Sequence, residues 1–139
     1  MTIIAYRDGV MAADSQVTGN FTTLGIKLHR KSGKIIGFAG DLHQALVFVD
    51  WYFDSKQRKP DIANENDWVA LVASKDGLEE WNHSLRPVRV PEMFYAIGSG
   101  AEVAMGAMEA GASAKRAAEI ACKRADGCGG PVVTMRLRG

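Results

Sequence analysis

The chain has 139 residues, 47% of them hydrophobic, which is enough to bury a core in one domain and too short for two. Lys and Arg number 17 against 16 for Asp and Glu, so no excess of charge points to nucleic acid or to an anionic membrane surface. No apolar run reaches the roughly 18 residues of a membrane span, and Ile3-Ile4 is too brief for a signal-peptide core, so the expected setting is the cytoplasm.

Residues 2–7 are β-rich, Asp8-Gly9 is a two-residue hairpin signal, and residues 10–14 continue as the return strand. Residues 24–30 alternate in strand fashion, Lys31-Ser32-Gly33 turns, and residues 34–39 form an apolar strand ending at Gly40. Asp41 then caps an amphipathic helix reaching about Ser55, with Leu42, Ala45, Leu46, Val49 and Phe53 on one face. Residues 56–66 are polar, contain Pro60, and read as a loop. Strands are expected over 68–74, 78–85 and 93–98, followed by Ala-rich helices over 101–110 and 113–125 and a last strand over 132–137. Helices grouped between runs of strands exclude a regular βαβ alternation and predict a layered α+β sandwich, residues 1–139 forming a single domain.

The only cysteines, Cys122 and Cys128, lack C-x-x-C spacing, and His29, His43 and His83 are scattered, so neither a disulfide nor a metal site is expected. The N-terminus carries more chemistry. A small residue after the initiator methionine normally lets Met1 be trimmed, which would leave Thr2 with a free α-amine. An α-amine titrates near ~7.7–8.0, so at cytoplasmic pH a large fraction of it is neutral and able to take the proton of a threonine hydroxyl.

Five stretches in order resemble the proteasome β-subunit and HslV-like peptidase family of N-terminal-nucleophile hydrolases. They are the Thr-led hairpin ending in Ala-Ala-Asp-Ser at 12–15, Lys27, Gly-Phe-Ala-Gly-Asp at 37–41, Ala-Ile-Gly-Ser-Gly at 96–100 and Gly-Gly-Pro-Val at 129–132. The resemblance implies a four-layer αββα fold with one helix fewer than HslV. It also implies a homo-oligomeric ring enclosing the active sites, and hydrolysis of unfolded polypeptides without metal or organic cofactor. An AAA+ ATPase unfoldase is the partner it implies. By position, Thr2 matches the nucleophile, Lys27 the positive charge beside its oxygen, Asp14 the partner of that lysine and Gly40 the oxyanion-hole N–H. Ser99 and Asp126 match the groups that orient the amine and relay its proton, and Phe38, Leu42 and Leu46 match the lining of an apolar specificity pocket.

Matching side-chain types through Thr-Ile-Ile-Ala puts Met1 in the leading position of the family, whereas counting out from the Asp8-Gly9 turn sets Thr2 across from Ser15 and favours Thr2. Asp126 also sits one place nearer the Gly-Gly pair than its family counterpart, a position Ala125 holds here. Two alternatives stay open: an amidase of the same superfamily acting on a small amide, and a catalytically inactive ring or scaffold subunit that keeps Met1.

Overall fold

The computed structural model describes residues 2–18, 22–54, 56, 58–61 and 68–137. In chain order the elements are β1 (Ile4–Arg7), β2 (Val10–Ala13), β3 (Gln16–Thr18), β4 (Thr22–Leu24), β5 (Leu28–Lys31), β6 (Lys34–Gly40) and α1 (Leu42–Phe53). There follow β7 (Trp68–Ser74), β8 (Gly77–Asn82), β9 (Val88–Val90), β10 (Phe94–Ile97), α2 (Ala101–Glu109), α3 (Ala114–Arg124) and β11 (Val133–Arg136). No described helix is long and apolar enough to cross a membrane.

The strands form a four-stranded sheet ordered β10-β1-β2-β11 and a five-stranded sheet ordered β5-β6-β7-β8-β9, beside a small β3-β4 hairpin, all antiparallel. The alternation of side chains along each strand builds the layers. On β1 and just before it, Ile3 and Ala5 face α2 and α3, where they meet Met108 and the buried stripe Ala114, Ala117, Ala118 and Ala121. Ile4 points the other way, into an inter-sheet core with Met11, Leu28, Ile35 and Leu71. On the far side of the second sheet, Ile36, Phe38, Ala70 and Val72 pack under α1 around Phe48. The order is helices, sheet, sheet, helix, which is the expected four-layer α+β sandwich, and among the described residues α1 alone covers the outer face of the five-stranded sheet.

The first hairpin turns at Asp8 and Gly9, whose φ values of 52° and 77° are those of the tight turn that matches strand twist, and it pairs Arg7 with Val10 and Ile4 with Ala13. Asp14 N–H donates to the Ile3 carbonyl at 3.3 Å, which carries the same register one step further and sets Thr2 toward Ser15. The sheets touch at Gly37, where an added Cβ would lie 2.7 Å from Ile4 Cγ2 and 2.8 Å from Met11 Sδ.

Several elements differ from the sequence expectation. The strand predicted over 24–30 is divided into β4 and β5 because Gly25 docks against β3: its N–H donates to the Ser15 carbonyl at 2.8 Å, and a Cβ there would meet Val17. The strand predicted over 78–85 ends at Asn82, whose side chain closes a turn on the Ser84 N–H at 2.9 Å, and Leu85 takes a φ of 56°. Between Pro87 and Pro91 lies β9, a short edge strand of the kind that tolerates flanking prolines. Helix α1 begins as expected, with Asp41 Oδ1 accepting from Gln44 N–H at 2.9 Å, but it ends at Phe53. The expected helix end at Ser55, residues 57 and 62–66 of the expected loop, and Met1 lie outside the described residues.

The aromatic cluster under α1 should dominate the stability of that layer. Phe48 is fully buried, its ring 5.0 Å from that of Trp68 and 5.2 Å from that of Trp81. Phe48→Ala should cost about 3–5 kcal/mol, read as a lowered urea midpoint with an unchanged slope.

Candidate active site

Thr2 lies one residue short of the β1 core and is held from both sides. Its backbone N–H donates to Ser99 Oγ at 3.2 Å, and its carbonyl accepts from Gly100 N–H at 3.2 Å. The loop before α2 can come this close only because position 98 is glycine: φ there is 102°, and a Cβ would stand 2.2 Å from the Thr2 carbonyl oxygen.

The hydroxyl of Thr2 donates to Asp14 Oδ1 at 3.1 Å and accepts from Lys27 Nζ. Lys27 Nζ also donates to Asp14 Oδ1 at 2.8 Å, closing a triangle of hydroxyl, ammonium and carboxylate. Thr2, Asp14 and Lys27 are only 2%, 1% and 6% exposed, so this charge pair operates with little water to screen it. Such a buried pair persists only when its remaining hydrogen-bonding capacity is met. Asp14 meets it with backbone donors, Ile3 N–H at 3.2 Å on Oδ1 and Gly129 N–H at 3.0 Å on Oδ2.

The turn after α3 completes the enclosure. The Gly129 carbonyl accepts from the N–H groups of Ser15 and Gln16, and Ser15 Oγ donates to the Pro131 carbonyl at 2.8 Å. Asp126 lies on this turn, but it is its backbone carbonyl that accepts from Ser99 Oγ, at 3.3 Å. The Asp126 carboxylate is exposed and has no hydrogen bond or ion pair among the described residues.

Cys128, which sequence reading set aside, stands 3.9 Å from Ser99 Oγ. Burial raises its pKa, opposed by its hydrogen bond with Ser99, and burial together with the charge of Asp14 pushes Cys122 up to about 11. Both are free thiols that stay protonated at neutral pH, and a protonated thiol is a weak nucleophile. The Thr2 hydroxyl, by contrast, is in contact with the Lys27 ammonium.

Gly40 ends β6 with a φ of 99°, and it shares with Gly98 and Ser99 the wall of a cavity of about 460 Å³. Phe38 is turned away from that cavity. It is buried under α1, stacked on His29 with ring centroids 5.6 Å apart, and Leu42 and Leu46 pack half-buried against the same cluster. The cavity beside Ser99 draws its walls from β6, β7, the end of β8 and the β10–α2 loop. Beyond Gly40 and Ser99, sequence reading did not single out that lining, because strand alternation marks only its buried members.

No protein-family model matches this chain, and no curated protein matches it. Its fold has close counterparts among solved structures. A eukaryotic HslV from Trypanosoma brucei superposes with a TM-score of 0.72 at 18% identity, covering 96% of this chain and 97% of that one. The BPH of Thiobacillus denitrificans in complex with epoxomicin superposes with a TM-score of 0.70 at 21% identity over 99% of both chains. A second structure of the Thiobacillus denitrificans BPH gives a TM-score of 0.67 at 22% identity. The αββα layers and the near-complete coverage in both directions establish that this chain has an HslV/proteasome β-type fold.

Proposed function

We propose that the protein is a threonine peptidase in which Thr2, once Met1 is removed, is both nucleophile and, through its α-amine, general base. The observation that carries this reading is the Thr2 hydroxyl in contact with Lys27 Nζ while the nitrogen of the same residue rests on Ser99 Oγ. The amine takes the Oγ1 proton, and Oγ1 attacks the carbonyl carbon of the scissile bond. Lys27 stabilises the charge that builds on Oγ1, and Gly40 N–H is the candidate donor to the oxyanion. Collapse of the tetrahedral intermediate breaks the C–N bond, and the Thr2 ammonium returns its proton to the departing amine. Water, deprotonated by the same amine, then hydrolyses the ester on Thr2.

Asp14 acts through Lys27, holding the ammonium against Oγ1, and Ser99 orients the amine between Thr2 and the Asp126 carbonyl. These residues complete the chemistry without a metal or organic cofactor. The resemblance in sequence order and the shared fold support unfolded polypeptides as substrates, a homo-oligomeric ring as the working form and an AAA+ unfoldase as its partner.

Intact-mass spectrometry of the active preparation should find Met1 absent; retention in essentially all molecules would overturn the reading. An epoxyketone offers one electrophilic carbon to a hydroxyl and another to an amine on the same residue, so epoxomicin should add covalently to Thr2. Thr2→Ala should lose that adduct and at least about 10³-fold in fluorogenic peptide turnover, while Thr2→Ser, with hydroxyl and amine intact, keeps both activities.

Because the base must be neutral, kcat/KM should rise with pH through the α-amine pKa, about 7.7–8.0 before any influence of the site. Lys27→Met should lower kcat by about 10²–10³-fold by removing the charge beside Oγ1. That variant leaves the Asp14 carboxylate buried without its counter-charge, so rates are compared where circular dichroism shows both proteins folded.

A further inference from the structure

The cavity beside Ser99 is large enough for a long peptide side chain. Besides Gly40, Gly98 and Ser99, its wall includes Glu80, near the end of β8, and His83 in the turn that follows. Glu80 is half-buried, and one of its carboxylate oxygens accepts from Tyr95 Oη at 3.2 Å. Burial, and after it the charge of Glu80, raises the Tyr95 pKa, so the phenol remains a donor and holds the carboxylate in place. Among the described residues no lysine, arginine or histidine forms an ion pair with Glu80. The carboxylate thus retains acceptor capacity at the edge of the site, with no counter-charge paired to it among the described residues.

The side of the scissile bond that this cavity serves follows from the proton path. The Thr2 amine must hand its proton to the departing amine, so the departing chain leaves from the side where that nitrogen sits. The neighbour of that nitrogen is Ser99, and Ser99 is part of the cavity wall. We propose that the cavity receives the side chain of the first residue of the departing chain and that Glu80 selects lysine or arginine there. The inference rests on Thr2 acting as a hydrolytic nucleophile. A cationic head group donates to the Glu80 carboxylate, and its aliphatic stem lies along the less polar part of the wall formed by Ala39 and Val69.

The test uses the full-length processed protein and quenched fluorescent peptides identical except at the residue after the cleaved bond, which is Arg, Lys, Leu or Glu. Cleavage at the intended bond is verified by mass spectrometry. The wild-type protein should prefer Arg and Lys over Leu by about tenfold in kcat/KM, the scale of one charge-assisted hydrogen bond. Glu80→Gln, which keeps the size of the side chain, should bring that ratio close to one, and Glu80→Lys should reverse it in favour of Glu. A flat wild-type profile, or a preference that survives in Glu80→Gln, overturns the inference while leaving hydrolysis by Thr2 in place. Failure of the wild-type protein to cut any of the peptides overturns both.

Discussion

The buried carboxylate of Asp14 is the joint on which the site depends. Its two oxygens accept from the Thr2 hydroxyl, the Ile3 N–H, the Lys27 ammonium and the Gly129 N–H, and these four donors come from three separate stretches of chain. A carboxylate placed in a dry interior costs several kcal/mol unless its lone pairs are used and its charge is met. Folding can bury Asp14 only by bringing all four donors to it. The same arrangement that makes the burial tolerable also sets ammonium and hydroxyl in contact, so local stability and the placement of the candidate nucleophile have a common origin.

That convergence relies on how closely the two sheets approach. Thr2 and Asp14 extend from strands of the four-stranded sheet, whereas Lys27 immediately precedes β5, an edge strand of the five-stranded sheet. The triangle therefore spans the seam between layers, and its dimensions follow the inter-sheet spacing. Gly37 on β6 sets that spacing locally by letting Ile4 and Met11 settle against bare backbone, with Leu28 beside them. A lysine offered across such a seam reaches its target only if the spacing is held by close packing, and interiors packed this densely resist being stretched by even one methylene.

How much of this could be read from the residues depended on whether the determining interaction was local. The Asp8-Gly9 turn and the Asp41 and Ser113 helix caps are local, since each is decided by a turn conformation or by a side chain bonding an N–H three residues on. The register of the first hairpin follows from its turn, and with it the facing of Thr2 and Ser15. The short strands β3 and β9 were not legible, because three-residue segments gain their order from neighbours distant in sequence. The contact Asp126 makes was not legible for a similar reason: residue type draws the eye to a carboxylate, while the turn after α3 presents the carbonyl to Ser99. Cys128 and Glu80 carry no motif, and only the folding of separate loops around Ser99 gives either a place near the candidate nucleophile.

The main-chain grip on Thr2 adds a constraint of a different kind from the charge triangle. In the processed chain proposed above, a leading threonine would ordinarily fray, since a terminal residue has few contacts and pays its full ordering entropy for them. Here the Gly100 N–H binds the Thr2 carbonyl and Ser99 Oγ binds its nitrogen, with Gly98 kept free of a side chain so that the loop can close on the backbone. The donors and acceptors around Thr2 are thus supplied on both flanks, by the β10–α2 loop on one and by Asp14 and Lys27 on the other. Groups fixed this way need little rearrangement when charge moves, which is where electrostatic stabilisation of a transition state gains most of its effect. The ordering cost is met during folding, when the surrounding layers pack, so it does not have to be met again each time a substrate arrives.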